Sequence, residues 1–260
     1  MRFASLGSGS EGNALLVESG ASLGGAAFSV LVDCGFGVRE VRRRLARLQR
    51  EPGQVDAILV THEHGDHIGG VFRLAQQHRI PVFLTHGTLS AAVVPDGCAD
   101  LVNVIDSHQR FELGGFGVEP FPVPHDAREP VQYVLDDGHA RLGVLTDIGH
   151  PTAHLPRALA NLTALVLECN HDAALLSASS YPPALKRRIA GPYGHLDNEA
   201  SAQILGLLDA ARLRRIVAAH LSRQNNRPEL ARAALASVAG RDPIDIDVAD
   251  QDDGLDWIEA

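Results

Sequence analysis

Cysteine is scarce in this chain of 260 residues: Cys34, Cys98 and Cys169 are the only three. An odd number of widely separated cysteines argues against a disulfide framework, and none of them forms a CxxC metal knuckle. We expect all three to be reduced, small apolar side chains. No apolar run reaches the roughly 18 residues that a membrane span needs, and the first residues become glycine-rich too soon for a signal peptide. These absences favour a cytoplasmic protein.

Basic residues are also in deficit, because 23 lysines and arginines face 32 aspartates and glutamates, which gives a formal net charge of −9. This balance argues mildly against a general nucleic-acid binder, since such proteins usually show a basic footprint. It does not exclude one, because bound metal would neutralise several acids and local basic clusters remain. With 45% hydrophobic residues and no repeat or linker-like run, the chain is expected to form one domain over residues 1–260.

The most informative segment is residues 61–67, Thr-His-Glu-His-Gly-Asp-His, which directly follows the apolar run 57–60. The run predicts a buried strand, and a tight turn after it can aim His62, His64, Asp66 and His67 at neighbouring points. Imidazole nitrogens and carboxylate oxygens suit divalent zinc, manganese or iron. The alternative is a polar turn with chance histidines, but four ligand-type residues in this register favour a metal site.

The same pattern recurs at the ends of other apolar runs. Asp33, His125, Asp147 and His220 each follow such a run. Taken singly, the aspartates could cap a helix or a turn, and the histidines could be buried and hydrogen-bonded. Side chains at the ends of adjacent strands converge at one sheet edge, where sites collect. Together with the cluster of residues 62–67, coordination of a metal is the favoured interpretation.

The remaining pattern is that of a mixed α/β chain. Strands are predicted at residues 2–6, 13–17, 28–33, 57–60, 80–84, 101–105, 117–123, 131–135, 140–146, 164–168 and 215–219, with short edge strands at the acidic C-terminus. Helices are predicted at residues 38–48, 67–77, 183–189, 198–211 and 228–238.

The order of these residues resembles a known ligand pattern. Asp33, the His-x-His-x-Asp-His segment, His125, Asp147 and His220 are similar to the five motifs of the metallo-β-lactamase superfamily. Further segments resemble its YycJ/WalJ-like branch, among them LGSGSEGN at 6–13, PHDA at 124–127, ECNHD at 168–172, GHLDNE at 194–199 and HLSRQNN at 220–226. Cys169 and Asp197 stand where serine is expected, and Gln224 where glutamate is expected. None of these three is a proposed ligand.

The resemblance implies an α/β fold, the four-layer αββα metallo-β-lactamase sandwich, with two divalent ions of zinc or manganese, iron also being compatible. It implies one ion on His62, His64 and His125 and a second on Asp66, His67 and His220, with Asp147 bridging them. Asp33 would hold a ligating imidazole through its other nitrogen. Asp66 would also orient the attacking water, and His195 would donate a proton to the leaving group.

Other residues are assigned with alternatives left open. His195 could instead merely begin a helix or bind a structural water. His171 is a weaker candidate for the same role and is expected to support the ligands from behind, or it could only brace the strand that ends at Glu168. Substrate phosphates are expected to contact basic and amide side chains, although each of these could equally belong to a solvated face. The expected contacts are Lys186, Arg187, Arg188, Arg223 and Asn226.

The favoured function is a phosphodiester hydrolase with a dinuclear metal site, and the resemblance implies a DNA exonuclease. The alternative is a small-molecule or cyclic phosphodiesterase, or another metallohydrolase of the same fold, which the acidic overall charge suits better. A binding or regulatory protein that keeps the fold without turnover is the third possibility. The complete ligand set argues against it, because such a protein could lose His125, Asp147 or His220 without consequence.

Overall fold

The computed structural model describes residues 1–20, 27–209 and 212–260. Its strands are β1 (Arg2–Gly7), β2 (Ala14–Glu18), β3 (Ser29–Val32), β4 (Ala57–Leu59), β5 (Val82–Thr85), β6 (Val102–Ile105), β7 (Phe111–Leu113), β8 (Phe116–Pro122), β9 (Val131–Asp136), β10 (Arg141–Leu145), β11 (Ala164–Glu168), β12 (Arg215–Ala219), β13 (Asp247–Val248) and β14 (Leu255–Glu259). Each predicted strand overlaps one of these, and the short strand β7 was not predicted.

The helices of the described residues lie between and after these strands. They are α1 (Val38–Arg47), α2 (Gly65–Ile68), α3 (Val71–His78), α4 (His86–Ala91), α5 (Leu155–Ala158), α6 (Ala173–Ala178), α7 (Pro183–Ile189), α8 (Asn198–Gly206) and α9 (Pro228–Ala239). Short 3₁₀ turns occur at Pro52–Gln54, Ala99–Leu101 and Pro243–Asp245. Within this part of the chain no helix is both long and apolar enough to cross a membrane.

The strands form two sheets, each of seven strands in the described ranges. The first has the order β14-β1-β2-β3-β4-β5-β6, and the second has the order β13-β12-β11-β10-β9-β8-β7. Strands β3 to β6 run parallel to one another, and so do β10 to β13. The carboxyl ends of these parallel strands therefore share one edge in each sheet, which is where α/β proteins place their sites.

The four layers form because side chains along each strand point alternately to its two faces. In β3, Val30 and Val32 point into a central core that also receives Tyr133 and Val144 from the second sheet. Leu31 points the other way, into an outer core shared with α1 and α3. The second sheet packs its own outer face against α8 and α9. Because successive side chains of a strand face opposite sides, each sheet is buried on both faces, and the predicted αββα sandwich is confirmed.

Two helix predictions needed correction. The helix expected at residues 67–77 is divided into α2 and α3 at Gly69 and Gly70, where the Gly70 backbone packs directly on the Phe36 carbonyl group and its N–H bonds to Cys34 O at 2.7 Å. The helix expected at 198–211 ends at Gly206, and residues 210 and 211 lie outside the described ranges. Asp197 caps this helix by accepting a bond from Ala200 N at 2.7 Å, a role that aspartate and serine share.

The atoms around Gly35 show how closely the loops pack at the carboxyl edge of the first sheet. A Cβ atom there would overlap the carbonyl oxygen of Asp66, whereas nothing lies within 4 Å of a Cβ at Gly206. We therefore expect Gly35→Ala to lower the free energy of unfolding by about 1–3 kcal/mol in urea titrations, because the Asp66 backbone must shift. Gly206→Ala, in a helix and exposed, should be neutral or stabilising by up to about 1 kcal/mol. Equal effects of the two variants would contradict this packing.

Candidate metal centre

Two candidate ligands and one residue that supports a ligand lie at sharp turns of the main chain, within two residues of a strand end. Asp33 follows β3, Asp147 follows β10 and His220 follows β12, with φ angles of 60°, 51° and 56°. The left-handed region is unfavourable for residues other than glycine, and such residues concentrate at functional sites. These turns bring side chains from the strand ends of both sheets to one place.

The first group of candidate ligands consists of His62, His64 and His125. One nitrogen of each lies within 4.8 Å of the others. His125 Nε2 is 3.3 Å from His64 Nδ1, and the ring of His62 is centred 4.6 Å from that of His64 and 4.9 Å from that of His125. Residues 62 and 64 leave β4, and His125 follows β8, so the group spans the two sheets.

The second group consists of Asp66, His67 and His220, which also offer atoms within 4.8 Å of one another. His67 Nε2 and His220 Nε2 lie 3.6 Å and 3.7 Å from Asp66 Oδ2. Asp147 lies between the two groups. Its Oδ2 is 3.1 Å from His67 Nε2, and its Oδ1 is 3.5 Å from His220 Nε2 and 3.8 Å from His125 Nε2.

The burial and hydrogen bonding of these side chains indicate whether they fit a metal. His62 and His67 are fully buried, Asp147 is 2% exposed and His220 is 1% exposed. His62 Nε2 and His220 Nε2 nevertheless have no hydrogen-bond partner among the described residues. A buried polar atom without a partner is costly, and coordination of a cation would satisfy it. The nitrogen and oxygen donors therefore fit a divalent metal.

Asp33 holds the His67 ring through Nδ1, the nitrogen that does not face the candidate metal centre. Its Oδ2 accepts a hydrogen bond from His67 Nδ1 at 2.8 Å, and its two oxygens accept bonds from the main-chain N–H and the hydroxyl group of Thr61, both at 2.8 Å. A carboxylate bonded to one imidazole nitrogen sets the tautomer and leaves the other nitrogen for the site. The structure thus places Asp33 against an imidazole of the second group.

Two of the three first-group histidines are oriented by main-chain carbonyl groups. His125 Nδ1 donates to Gly194 O at 3.1 Å, and His64 Nε2 lies 3.2 Å from Asp126 O. Each ring thereby keeps its other nitrogen facing its neighbours: Nε2 of His125 and Nδ1 of His64. The segments that carry Asp126 and Gly194 therefore form part of the wall of the centre.

Glu168 is a site residue that the sequence analysis missed. It is fully buried at the end of β11, and its Oε1 lies 2.8 Å from His195 Nδ1 and 3.4 Å from His220 Nδ1. Its Oε2 accepts bonds from Ile148 N at 3.1 Å and Leu196 N at 3.2 Å. The signal was present in the sequence, since an acidic residue ends an apolar run here just as Asp147 does.

The charges of the centre perturb one another strongly. Burial raises the pKa of Glu168, but the charge of His195 and hydrogen bonds from His195 and His220 bring it down to about 2. Burial lowers the pKa of His220, but Asp147, Asp66 and Glu168 outweigh it and raise that pKa to about 10. Protons and metal ions would therefore compete for the same nitrogens.

The two further predicted histidines differ in position. His195 is partly exposed, its ring stacks on that of His220 with centroids 5.3 Å apart, and its Nδ1 is 3.5 Å from Asp147 Oδ1. Its Nε2 has no protein partner in the described ranges. His171 is buried, accepts a bond at its carbonyl oxygen from Asn198 N at 2.9 Å, and belongs to neither ligand group.

The predicted phosphate contacts are not equally placed. Arg188 Nε donates to Asp126 Oδ2 at 2.7 Å, which holds it beside His125. Lys186, on the same helix α7, donates to Ser177 O at 2.6 Å, and Arg187 is exposed without a partner in the described chain. The basic turn of α7 therefore borders the centre through Arg188.

Arg223 and Asn226 follow the His220 turn. Arg223 pairs with Glu11 at 3.1 Å and with Asp252 at 2.6 Å, both exposed. Asn226 is buried, donates to Cys169 O at 2.7 Å and exchanges bonds with Asn198 at 2.9 Å. Its amide group thus braces the turn behind His220, whereas Arg223 lies at the surface.

Known proteins share both the sequence and the architecture. The family model described as the beta-lactamase superfamily domain matches residues 29–221. Exodeoxyribonuclease YycJ of Bacillus anthracis is 33% identical over 246 residues, covering 92% of this chain and 89% of that protein. Exodeoxyribonuclease WalJ of Streptococcus pneumoniae is 33% identical over 244 residues, covering 91% of this chain and 87% of that one.

Solved structures of lower identity agree on the fold. The metallo-beta-lactamase fold protein YhfI from Bacillus subtilis superimposes with a TM-score of 0.74 at 16% identity, over 100% of this chain and 99% of that one. The Zn(2+)-bound PqqB from Methylobacterium extorquens does so with a TM-score of 0.67 at 20% identity, over the whole of both chains. The chain therefore belongs to the metallo-β-lactamase superfamily and is a metal-dependent hydrolase.

Proposed function

We propose that this hydrolase is an exonuclease that cleaves the phosphodiester bonds of DNA with two divalent metal ions. The observation that carries the proposal is the position of Asp147, whose carboxylate oxygens approach nitrogens of both ligand groups within 3.8 Å. Two groups joined by one carboxylate suit a pair of ions. The choice of DNA is supported by the two exodeoxyribonucleases to which the chain is similar over more than nine-tenths of its length.

In this proposal His62, His64 and His125 hold one ion, Asp66, His67 and His220 hold the other, and Asp147 lies between them. Bound there, two cations would lower the pKa of a shared water towards neutrality and neutralise charge on the phosphoryl oxygens. Asp66 can orient that water while remaining a ligand. Zinc, manganese and iron all suit such nitrogen and oxygen donors.

His195 is proposed to protonate the leaving oxygen. Burial lowers the pKa of His195, but the charge of Glu168, its hydrogen bond and the charge of Asp147 raise the pKa above the usual value. The raised pKa favours the protonated imidazole, which is the form that a general acid requires. Because Nδ1 is bound to Glu168 at 2.8 Å, the free Nε2 is the atom that can face the substrate.

A small-molecule phosphodiesterase is the second candidate. The observation that favours it is that Arg188 and Arg223 are each paired with carboxylates, Asp126 in one case and Glu11 and Asp252 in the other. With a net charge of −9, the chain is therefore expected to attract a long polyanion only weakly, because two of its predicted phosphate contacts already have carboxylate partners. A small diester would use the same centre without needing those contacts.

Hydrolysis of end-labelled linear double-stranded DNA tests the proposed function. We expect the metal-loaded protein to shorten it from its ends, to leave covalently closed circles intact, and to lose affinity steeply with added salt. Asp147→Asn, which tolerates the left-handed backbone, should lower the rate by more than about 100-fold and reduce bound metal, measured by elemental analysis. Cleavage of a chromogenic diester with linear DNA untouched would replace the exonuclease by the second candidate. Full activity of Asp147→Asn would refute the assignment of the centre.

Glu168→Gln tests the proton donor, because glutamine keeps the shape and loses the charge that raises the pKa of His195. We expect kcat to fall by about 10- to 100-fold, and the alkaline limb of the pH–rate profile to move to lower pH, since His195 then loses its proton earlier. Metal content should be retained. Glu119→Gln, which disturbs an ion pair with Arg141 at 2.7 Å, is the matched control. If the alkaline limb does not move, His195 and Glu168 take no part in the proton transfer.

Metal binding should release protons, because His67 and His220 must lose theirs to become ligands. Their pKa values are raised, that of His220 to about 10, so protonation competes with metal below that pH. The apparent affinity for Mn²⁺ should therefore rise by about tenfold per pH unit for each proton released between about pH 6 and pH 9. Calorimetry in buffers of different ionisation enthalpy counts these protons. His139→Gln, an exposed histidine, should release as many as the wild type, and a heat independent of buffer would contradict the competition.

A further inference from the structure

Tyr193 is an exposed aromatic side chain at the edge of the candidate centre. It is 60% exposed, and it is the only phenylalanine, tyrosine or tryptophan among the large hydrophobic side chains that are exposed in the described residues. Its hydroxyl group has no hydrogen-bond partner in the same part of the chain. Neither the fold nor the proposed mechanism uses this ring.

The main chain around Tyr193 is held from several sides. Its carbonyl oxygen accepts a bond from Asp126 N at 3.0 Å, and the preceding carbonyl group, of Pro192, lies 2.8 Å from His150 Nδ1. The following carbonyl group, of Gly194, accepts the bond from His125 Nδ1 at 3.1 Å, and His195 N donates to Ile189 O at 2.8 Å. The backbone is therefore fixed while the ring remains free.

These anchors place the main chain of Tyr193 beside both the reaction centre and the basic helix. Tyr193 is two residues from His195, so their Cα atoms are at most about 7 Å apart. Asp126, which is bonded to the Tyr193 carbonyl group, directly follows His125 and pairs with Arg188. A phosphate that drew Arg188 away from Asp126 would therefore lie close to the residue that carries this exposed ring.

An exposed ring next to a phosphate-binding cation is the combination that binds single-stranded nucleic acid, since every base has a face on which an aromatic side chain can stack. A tyrosine on a fixed backbone has only two side-chain torsions to order. We infer that Tyr193 stacks on the nucleobase next to the scissile phosphate, with Arg188 contacting a neighbouring phosphate. The inference rests on the proposed nuclease function and adds to it a residue that recognises the base.

Abasic substrates test this stacking. DNA carrying one tetrahydrofuran abasic residue at the first, second or third nucleotide from the cleaved end is compared with unmodified DNA. For the wild type we expect kcat/KM to fall by about 5- to 150-fold at one of these positions, which is the range for loss of one base–aromatic stack. In Tyr193→Ala this discrimination should collapse to about one at that position, and in Tyr193→Phe most of it should remain.

Ile244→Ala, which alters a side chain that is 76% exposed in the Pro243–Asp245 turn, is the matched control and should discriminate like the wild type. If Tyr193→Ala cleaves DNA and still discriminates against the abasic residue as strongly as the wild type, the stacking inference is wrong and the exonuclease proposal stands. If the wild type cleaves a chromogenic diester but no DNA, the proposed function fails and the inference fails with it.

Discussion

The buried carboxylate of Asp147 is the charge around which this site is built. Only 2% of the residue is exposed, and imidazole nitrogens of His67, His125, His195 and His220 lie within 3.8 Å of its oxygens. Burial by itself would raise the pKa of this carboxyl group, but the attraction of the surrounding imidazoles holds it well below the usual range. An ionised group in the interior without such partners would cost several kcal/mol, so the imidazoles stabilise the buried charge of Asp147.

The sandwich explains how so many polar side chains can be ordered at one place. The candidate ligands, Asp33 and Glu168 lie at or just after the ends of β3, β4, β8, β10, β11 and β12, so that strands of both sheets carry them. Two buried carboxylates orient imidazole rings in the same way. Asp33 joins an imidazole to the main-chain N–H of Thr61, and Glu168 joins an imidazole to the N–H groups of Ile148 and Leu196. Each fixes the direction of a ring by tying it to the backbone, which keeps the site precise.

The regular elements followed from local patterns, and their exceptions have tertiary causes. Apolar runs predicted the central strands, and α7 was predicted with its observed bounds. The helix expected at 67–77 is divided because the Phe36 carbonyl group packs against Gly70, a contact between segments that no local pattern contains. The short helices α4, α5 and α6 were not predicted, since pieces of four to six residues are too short to show a helical period.

The sequence alone determined the family resemblance, the sandwich and the set of candidate ligands, because ligand-type residues directly after apolar runs are visible in a single chain. Tertiary structure decided which of them approach one another: Asp147 between two groups, His195 on Glu168, and Arg188 on Asp126, 62 residues away in sequence. It also decided that Asn226 is buried and that Tyr193 is exposed. Pairing and exposure depend on how the two sheets and their loops pack, which the order of residues along the chain does not state.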